Sequence, residues 1–174
     1  MRRKAREIVL AFVVAGLSVF FLAGRAVEAA TEPAASPAPR FDLVTLAGEA
    51  YSKESLKGRP ALLVFWAPWC PVCRKELPIL GRFYQRERPV SLQVVAIGFS
   101  DMRGNVEAYV KSHPETFVFP TAFDEDNWIS QAFKVTATPT FVLLDSNGNI
   151  QLVHRGGGIN QNPKYREFLA GLKR

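Results

Sequence analysis

The sequence predicts an α/β fold with a mixed central sheet, parallel in its first half and antiparallel at its end, and helices on both faces. Three observations carry this. Residues 61–66, ALLVFW, are an unbroken apolar run of the kind that forms a strand buried on both sides. Strand-like and helix-like patterns alternate along the chain, the order expected of an α/β sheet. Near the end, Asn147-Gly148 separates two apolar runs, a strong signal for a hairpin.

In chain order, an apolar run at 41–46 predicts a first strand, 61–66 a central strand and 92–99 another. Residues 71–88 carry Leu77, Leu80 and Phe83/Tyr84 at helical spacing, with Arg74, Lys75, Arg82, Arg86 and Arg88 left for a wet face. Shorter helices are expected at 105–112 and 125–133. Strands at 140–144 and 150–154 flank the Asn-Gly turn, and a helix over 163–172 closes the chain. No internal repeat is visible.

The N-terminus reads differently. Arg2, Arg3, Lys4 and Arg6 precede an uncharged apolar run from Ile8 to Gly24, the outline of a secretory leader. Seventeen residues span roughly 25 Å as a helix, short of a hydrocarbon core of about 30 Å. Residues 1–29 are therefore expected to be a signal peptide or a membrane anchor, the balance tipping slightly to the anchor, with the rest of the chain outside the cytoplasm. Residues 30–40, which include TEPAASPAPR, form a Pro/Ala-rich tether expected to be extended and mobile. The folded domain is expected over 41–174. Residues 30–174 hold 17 Lys+Arg and 14 Asp+Glu, so half of the formal +6 belongs to the leader. No basic stripe interleaved with aromatics remains, which argues against nucleic acid as a partner.

The chain has two cysteines, Cys70 and Cys73, placed where the central strand passes into the following helix. Unpaired N–H groups and the helix dipole at such a position favour a thiolate, the attacking species in disulfide exchange. One turn further on, Cys73 is placed to attack a mixed disulfide made by Cys70. Pro71 fits the first helical turn, which needs no N–H donor there. A structural disulfide would close too small a loop to stabilise much. A metal site lacks ligands, since the two histidines, His113 and His154, fall in different predicted elements. Two inert buried cysteines would leave the flanking tryptophans unexplained. Redox exchange is favoured over all three.

FWAPWCPVC resembles the active-site signature of the thioredoxin superfamily, and WCPVCRKELP resembles its exported, often membrane-tethered TlpA/ResA-like branch. The likeness covers nearly all of 41–174. It implies a thioredoxin-like fold with an added N-terminal β-hairpin, and a redox-active Cys70–Cys73 disulfide in place of any bound cofactor or metal. It implies that Cys70 is the nucleophile and Cys73 the resolving thiol. Trp69 would shape the surface on which substrate docks, and Thr138-Pro139 would correspond to the superfamily's cis-proline segment, whose backbone pairs with substrate. Glu76 matches the branch's acidic residue that exchanges protons with the thiols. An interior proline, Pro78, bends the helix whatever the chemistry. The chain departs from the pattern in three places: Val64 stands where thioredoxin has a buried aspartate, Pro71-Val72 fills the motif, and Thr138 stands where the branch often has valine. All three touch residues that tune potential.

The resulting expectation is an extracytoplasmic thiol-disulfide oxidoreductase acting on exported proteins through Cys-Pro-Val-Cys. It would work as a reductant, with cytochrome c maturation as one task and a membrane protein as electron donor or acceptor. The alternatives are a disulfide-forming oxidase or isomerase of the same fold, and a redox-silent copper-binding module. No third ligand accompanies the thiols, and Met102 is the one methionine after the initiator, which weighs against copper.

Overall fold

Residue placement follows one rule, that the inner strands of the central sheet are buried on both faces and therefore need a cover on each. The computed structural model describes residues 36–87 and 92–172. Among these, the strands are β1 (Ser36–Pro37), β2 (Asp42–Val44), β3 (Ala50–Ser52), β4 (Ala61–Trp66), β5 (Gln93–Gly98), β6 (Thr121–Phe123), β7 (Thr140–Leu144) and β8 (Asn149–Arg155). The α-helices are α1 (Pro71–Glu87), α2 (Arg103–Ser112), α3 (Trp128–Ala132) and α4 (Pro163–Leu172). Six strands form one sheet in the order β1-β8-β7-β4-β5-β6, and β2 with β3 forms a separate hairpin. β4 is parallel to β5 and antiparallel to β7, so the sheet changes sense at its central strand.

Successive side chains of a strand point to opposite faces. On β4, Leu62, Val64 and Trp66 join Cys70, Cys73, Leu77 and Leu80 of the motif and α1, Val106 of α2 and Tyr165 of α4 in one core. Leu63 and Phe65 point the other way and pack with Phe41, Leu43 and Leu56, and with Ile129 and Phe133 at α3. Three helices thus cover one face, and the short α3 with the β2–β3 hairpin covers the other. Trp66 stacks obliquely on Phe117 and Tyr109, at 4.8 and 5.6 Å between ring centres, directly beneath the motif.

Several expectations change in detail. The stretch 125–133 is not one helix: a 3-10 turn (Glu125–Asn127) precedes α3, with Asp126 and Asn127 in the left-handed region at φ 53° and 59°. Asn and Asp tolerate that conformation better than other side chains. The buried Asp124 carboxylate caps α3 from outside, accepting the N–H groups of Ile129 and Ser130 at 2.9 and 2.7 Å. Strand β6 was not expected; its three residues become a strand through parallel pairing with β5. Residues 36–40 are not a free tether, because β1 pairs with β8 and Ala38 is buried. In the β7–β8 hairpin only Gly148 takes a positive φ, 79°. The Asp145 carboxylate holds that turn, accepting from the N–H groups of Asn147 and Asn149 at 2.9 Å each and from Gln151 Nε2 at 2.9 Å. No helix among the described residues is long and apolar enough to cross a membrane. The expected leader, 1–29, lies outside them.

Candidate functional site

Cys70 immediately precedes α1 and stands at its N-cap. Its sulfur accepts the N–H of Cys73, the third helical residue, at 3.1 Å, the place a capping oxygen would take. Its carbonyl begins the helical ladder by accepting the N–H of Arg74 at 3.2 Å. Pro71, at the first helical position, removes no needed donor. The sequence folds this way because β4 delivers the chain to the sheet's end and Pro71, with its fixed φ and no N–H to donate, suits the first helical turn.

Both cysteines are free thiols. A second segment closes over them from the start of β7, where the Thr138-Pro139 peptide bond is cis. The Cys70 thiol donates to the Thr138 carbonyl at 3.4 Å, and Cys73 Sγ lies 3.2 Å from the Thr138 hydroxyl. One residue, 65 positions downstream of Cys73, therefore touches both sulfurs through two different oxygens.

The two thiols differ in environment. Burial pushes the Cys73 thiol up to about 12, and its hydrogen bond with Cys70 adds to the rise, while the Thr138 hydroxyl opposes it. Cys73 is wholly enclosed, packed with Val64, Trp66 and Leu77. Cys70 is only 2% exposed, less than an attacking sulfur at an open helix mouth would be. Its rim is open, however: Trp69 is 52% exposed, and Pro71 and Val72 face solvent.

Trp69 is oriented by one hydrogen bond, from its indole N–H to the carbonyl of Ser100 at 3.0 Å. Arg74 turns back over the motif, its Nε donating to the Pro68 carbonyl at 2.8 Å while its guanidinium lies 5.8 Å above the Tyr109 ring. No hydrogen bond joins Glu76 to Cys73 among the described residues, and its carboxylate lies against Gly157, where an added Cβ would stand 2.8 Å from Glu76 Oε1. Pro78 lies inside α1 and leaves the Arg74 carbonyl without its helical donor. His113 stacks on Tyr109 at 4.1 Å, and His154 bonds to the Gly157 carbonyl and to Asn162; neither histidine has a hydrogen bond to a thiol among the described residues.

The structure thus brings Cys70, Cys73, Thr138, Pro139 and Trp69 together, and Glu76, one helical turn after Cys73, has its carboxylate against Gly157. Sequence reasoning missed Ser100 and the residues behind it, because these contacts link distant segments, and it placed Arg74 on the wet face without its turn back to the Pro68 carbonyl. Chemically, a sulfur at the helix mouth beside a wholly enclosed, neutral one can form and break an internal disulfide.

The redoxin family matches residues 33–169 of the chain. Among curated proteins, the thioredoxin-like protein YneN of Bacillus subtilis is 38% identical over 121 residues, covering 68% of this chain and 69% of its own length. The thiol-disulfide oxidoreductase ResA of Geobacillus thermodenitrificans is 26% identical over 168 residues, covering 97% of this chain and 94% of its own. Among solved structures, a thiol:disulfide interchange protein of the thioredoxin family from Chlorobium tepidum superposes with a TM-score of 0.65 at 27% identity, covering 82% of this chain and 97% of that one. The chain belongs to the redoxin family within the thioredoxin superfamily and is a ResA-like thiol-disulfide oxidoreductase.

Proposed function

We propose that the protein reduces disulfides of exported proteins outside the cytoplasm, with Cys70 as nucleophile and Cys73 as resolving thiol. The Cys70 thiolate attacks a client disulfide, forming a Cys70–client bond and releasing one client thiolate. Cys73 then gives up its proton and attacks the Cys70 sulfur, releasing the second client thiolate and leaving a Cys70–Cys73 disulfide. Two electrons have passed to the client. A dithiol on a membrane protein returns them.

The observation that carries this reading is the contrast between two buried sulfurs, Cys70 at the helix mouth under an exposed rim and Cys73 wholly enclosed and held neutral. A thiol kept near 12 is a poor leaving group as thiolate, so a disulfide made to it resists reduction. That supports electron flow toward the client. Trp69 and Val72 supply an apolar wall for the client segment, and the Thr138 carbonyl supplies an acceptor for its backbone. The Thr138 hydroxyl, bonded to Cys73 Sγ, is the side chain in place to receive or pass the Cys73 proton. Glu76 would serve as the acceptor beyond it only after its carboxylate leaves Gly157. The leader-like residues 1–29 support a location on the outer, periplasmic side, anchored or released. Maturation of cytochrome c, whose cysteines must be reduced before haem attachment, is one task that fits.

The test is a Cys73→Ser variant expressed in its own cells. It should accumulate mixed disulfides with exported proteins, while Cys70→Ser traps none. The Cys70/Cys73 couple should have a reduction potential nearer about −270 mV than about −120 mV; a value at the oxidising end would reverse the direction proposed here.

A further inference from the structure

Ser100 and Asn127 both lie in the left-handed region, with φ of 54° and 59°, a conformation that Asn tolerates and Ser adopts less readily. Side chains with a Cβ persist there only where their surroundings hold them. These two hold each other. Asn127 Oδ1 accepts the Ser100 N–H at 2.7 Å, and the Ser100 carbonyl, turned outward by that conformation, accepts the indole N–H of Trp69 at 3.0 Å.

Asn127 is itself anchored on both sides. Its N–H donates to the Asp124 carbonyl at 3.2 Å, and its own carbonyl accepts the Ser130 hydroxyl at 3.0 Å. Asp124 in turn is buried, caps α3 with its carboxylate and donates its N–H to the Gly98 carbonyl at 2.8 Å, at the end of β5. A continuous run of hydrogen bonds therefore leads from the sheet to the indole beside Cys70. Without it, a half-exposed tryptophan has several rotamers open to it.

We propose that Asn127 is a positioning residue for thiol-disulfide exchange: its side chain holds Ser100 in the left-handed conformation, and the Ser100 carbonyl thereby fixes the orientation of the Trp69 wall against which a client docks. This rests on the function proposed above. Asn127 touches neither sulfur, so its removal acts on docking and leaves the chemistry at the thiols intact.

Two variants separate the side-chain bond from the backbone requirement. Asn127→Gly removes the acceptor and adopts the left-handed conformation freely. Asn127→Asp keeps an acceptor oxygen in the same place. Full-length reduced protein labelled with 15N-tryptophan gives an indole signal for each tryptophan, assigned with Trp69→Phe, with buried Trp66 as the internal reference. In Asn127→Gly the Trp69 indole signal should shift and its hydrogen exchange accelerate at least about tenfold, with Trp66 unmoved. The KM for reduction of insulin should rise about fivefold, the effect of one ordinary hydrogen bond, with kcat changed less than about twofold. Asn127→Asp should restore both readouts. A Trp69 signal unmoved in Asn127→Gly, or an Asp variant indistinguishable from the Gly variant, overturns the proposal. If the unsubstituted protein reduces no insulin, the exchange function falls, and the indole signals alone still decide whether Asn127 positions Trp69.

Discussion

Raising the pH from 8 to 10 should destabilise the reduced protein through Cys73. In the unfolded chain this thiol titrates near its ordinary value of 9.0, whereas the fold holds it up to about 12, first by burial and then through the hydrogen bond with Cys70. The sign follows from proton counting. Between about 9 and about 12 the unfolded chain releases the Cys73 proton while the folded chain keeps it, so the stabilisation is complete below 9 and is lost as pH rises toward 12. Each pH unit inside that window costs up to about 1.4 kcal/mol. Titration of one unfolded thiol between pH 8 and 10 therefore amounts to about 1.4 kcal/mol, or about 0.7 M in urea midpoint for a slope of about 2 kcal/mol/M. Tyr51, Tyr109 and Tyr165 are also raised, each chiefly by burial, and add alkaline losses of the same sign. The informative quantity is thus the difference between the unsubstituted protein and Cys73→Ala, each unfolded in urea under reducing conditions at both pH values. The unsubstituted protein should lose about 1.4 kcal/mol more than the variant. Equal losses in the two would refute the claim that the fold keeps this thiol protonated.

Gly81→Ala should destabilise the protein by about 1–3 kcal/mol in thermal or urea unfolding, although the same change on an open helix would stabilise it by about 1 kcal/mol. The reason is that a Cβ at Gly81 would stand 2.5 Å from the backbone carbonyl of Thr116. Asp145→Ala should flatten the acid limb of the stability curve. Burial tends to raise this carboxyl, but hydrogen bonds from Asn149, Asn147 and Gln151 hold it below its ordinary 3.8. Its contribution is therefore complete above that value and lost as pH falls through the depressed one; an unchanged acid limb would show that the turn does not depend on the charge.

What could be read from the sequence was what the chain encodes locally. The run at 61–66 became β4 with the expected bounds, because a strand covered on both faces is apolar at every position. The helix after the cysteines and the closing helix at Pro163–Leu172 followed from their own periodicity. Other features depend on partners far along the chain. β6 is three residues long and is a strand because β5 lies beside it, and Ser36–Pro37 joins the sheet because β8 offers an edge. At the site, the cysteines and Trp69 could be seen in one motif, and Thr138 and Pro139 through family likeness. That the Thr138 hydroxyl meets Cys73, that Glu76 faces Gly157, and that Asn127 stands behind Trp69 are contacts across 27 to 81 positions, including 65 between Thr138 and Cys73 and 27 between Asn127 and Ser100. Asn127 left one faint trace, an Asp-Asn pair inside a supposed helix, which is a combination suited to left-handed turns.

The most direct test of the account is the relative alkylation rate of the two thiols in the reduced native protein at neutral pH, with each site identified by mass spectrometry after limited exposure to iodoacetamide. Modification should fall on Cys70, whose rim of Trp69, Pro71 and Val72 is open, and spare Cys73, which is enclosed and held neutral. Comparable labelling of both sulfurs, or labelling of neither until urea is added, would contradict the division of labour on which the proposed exchange depends.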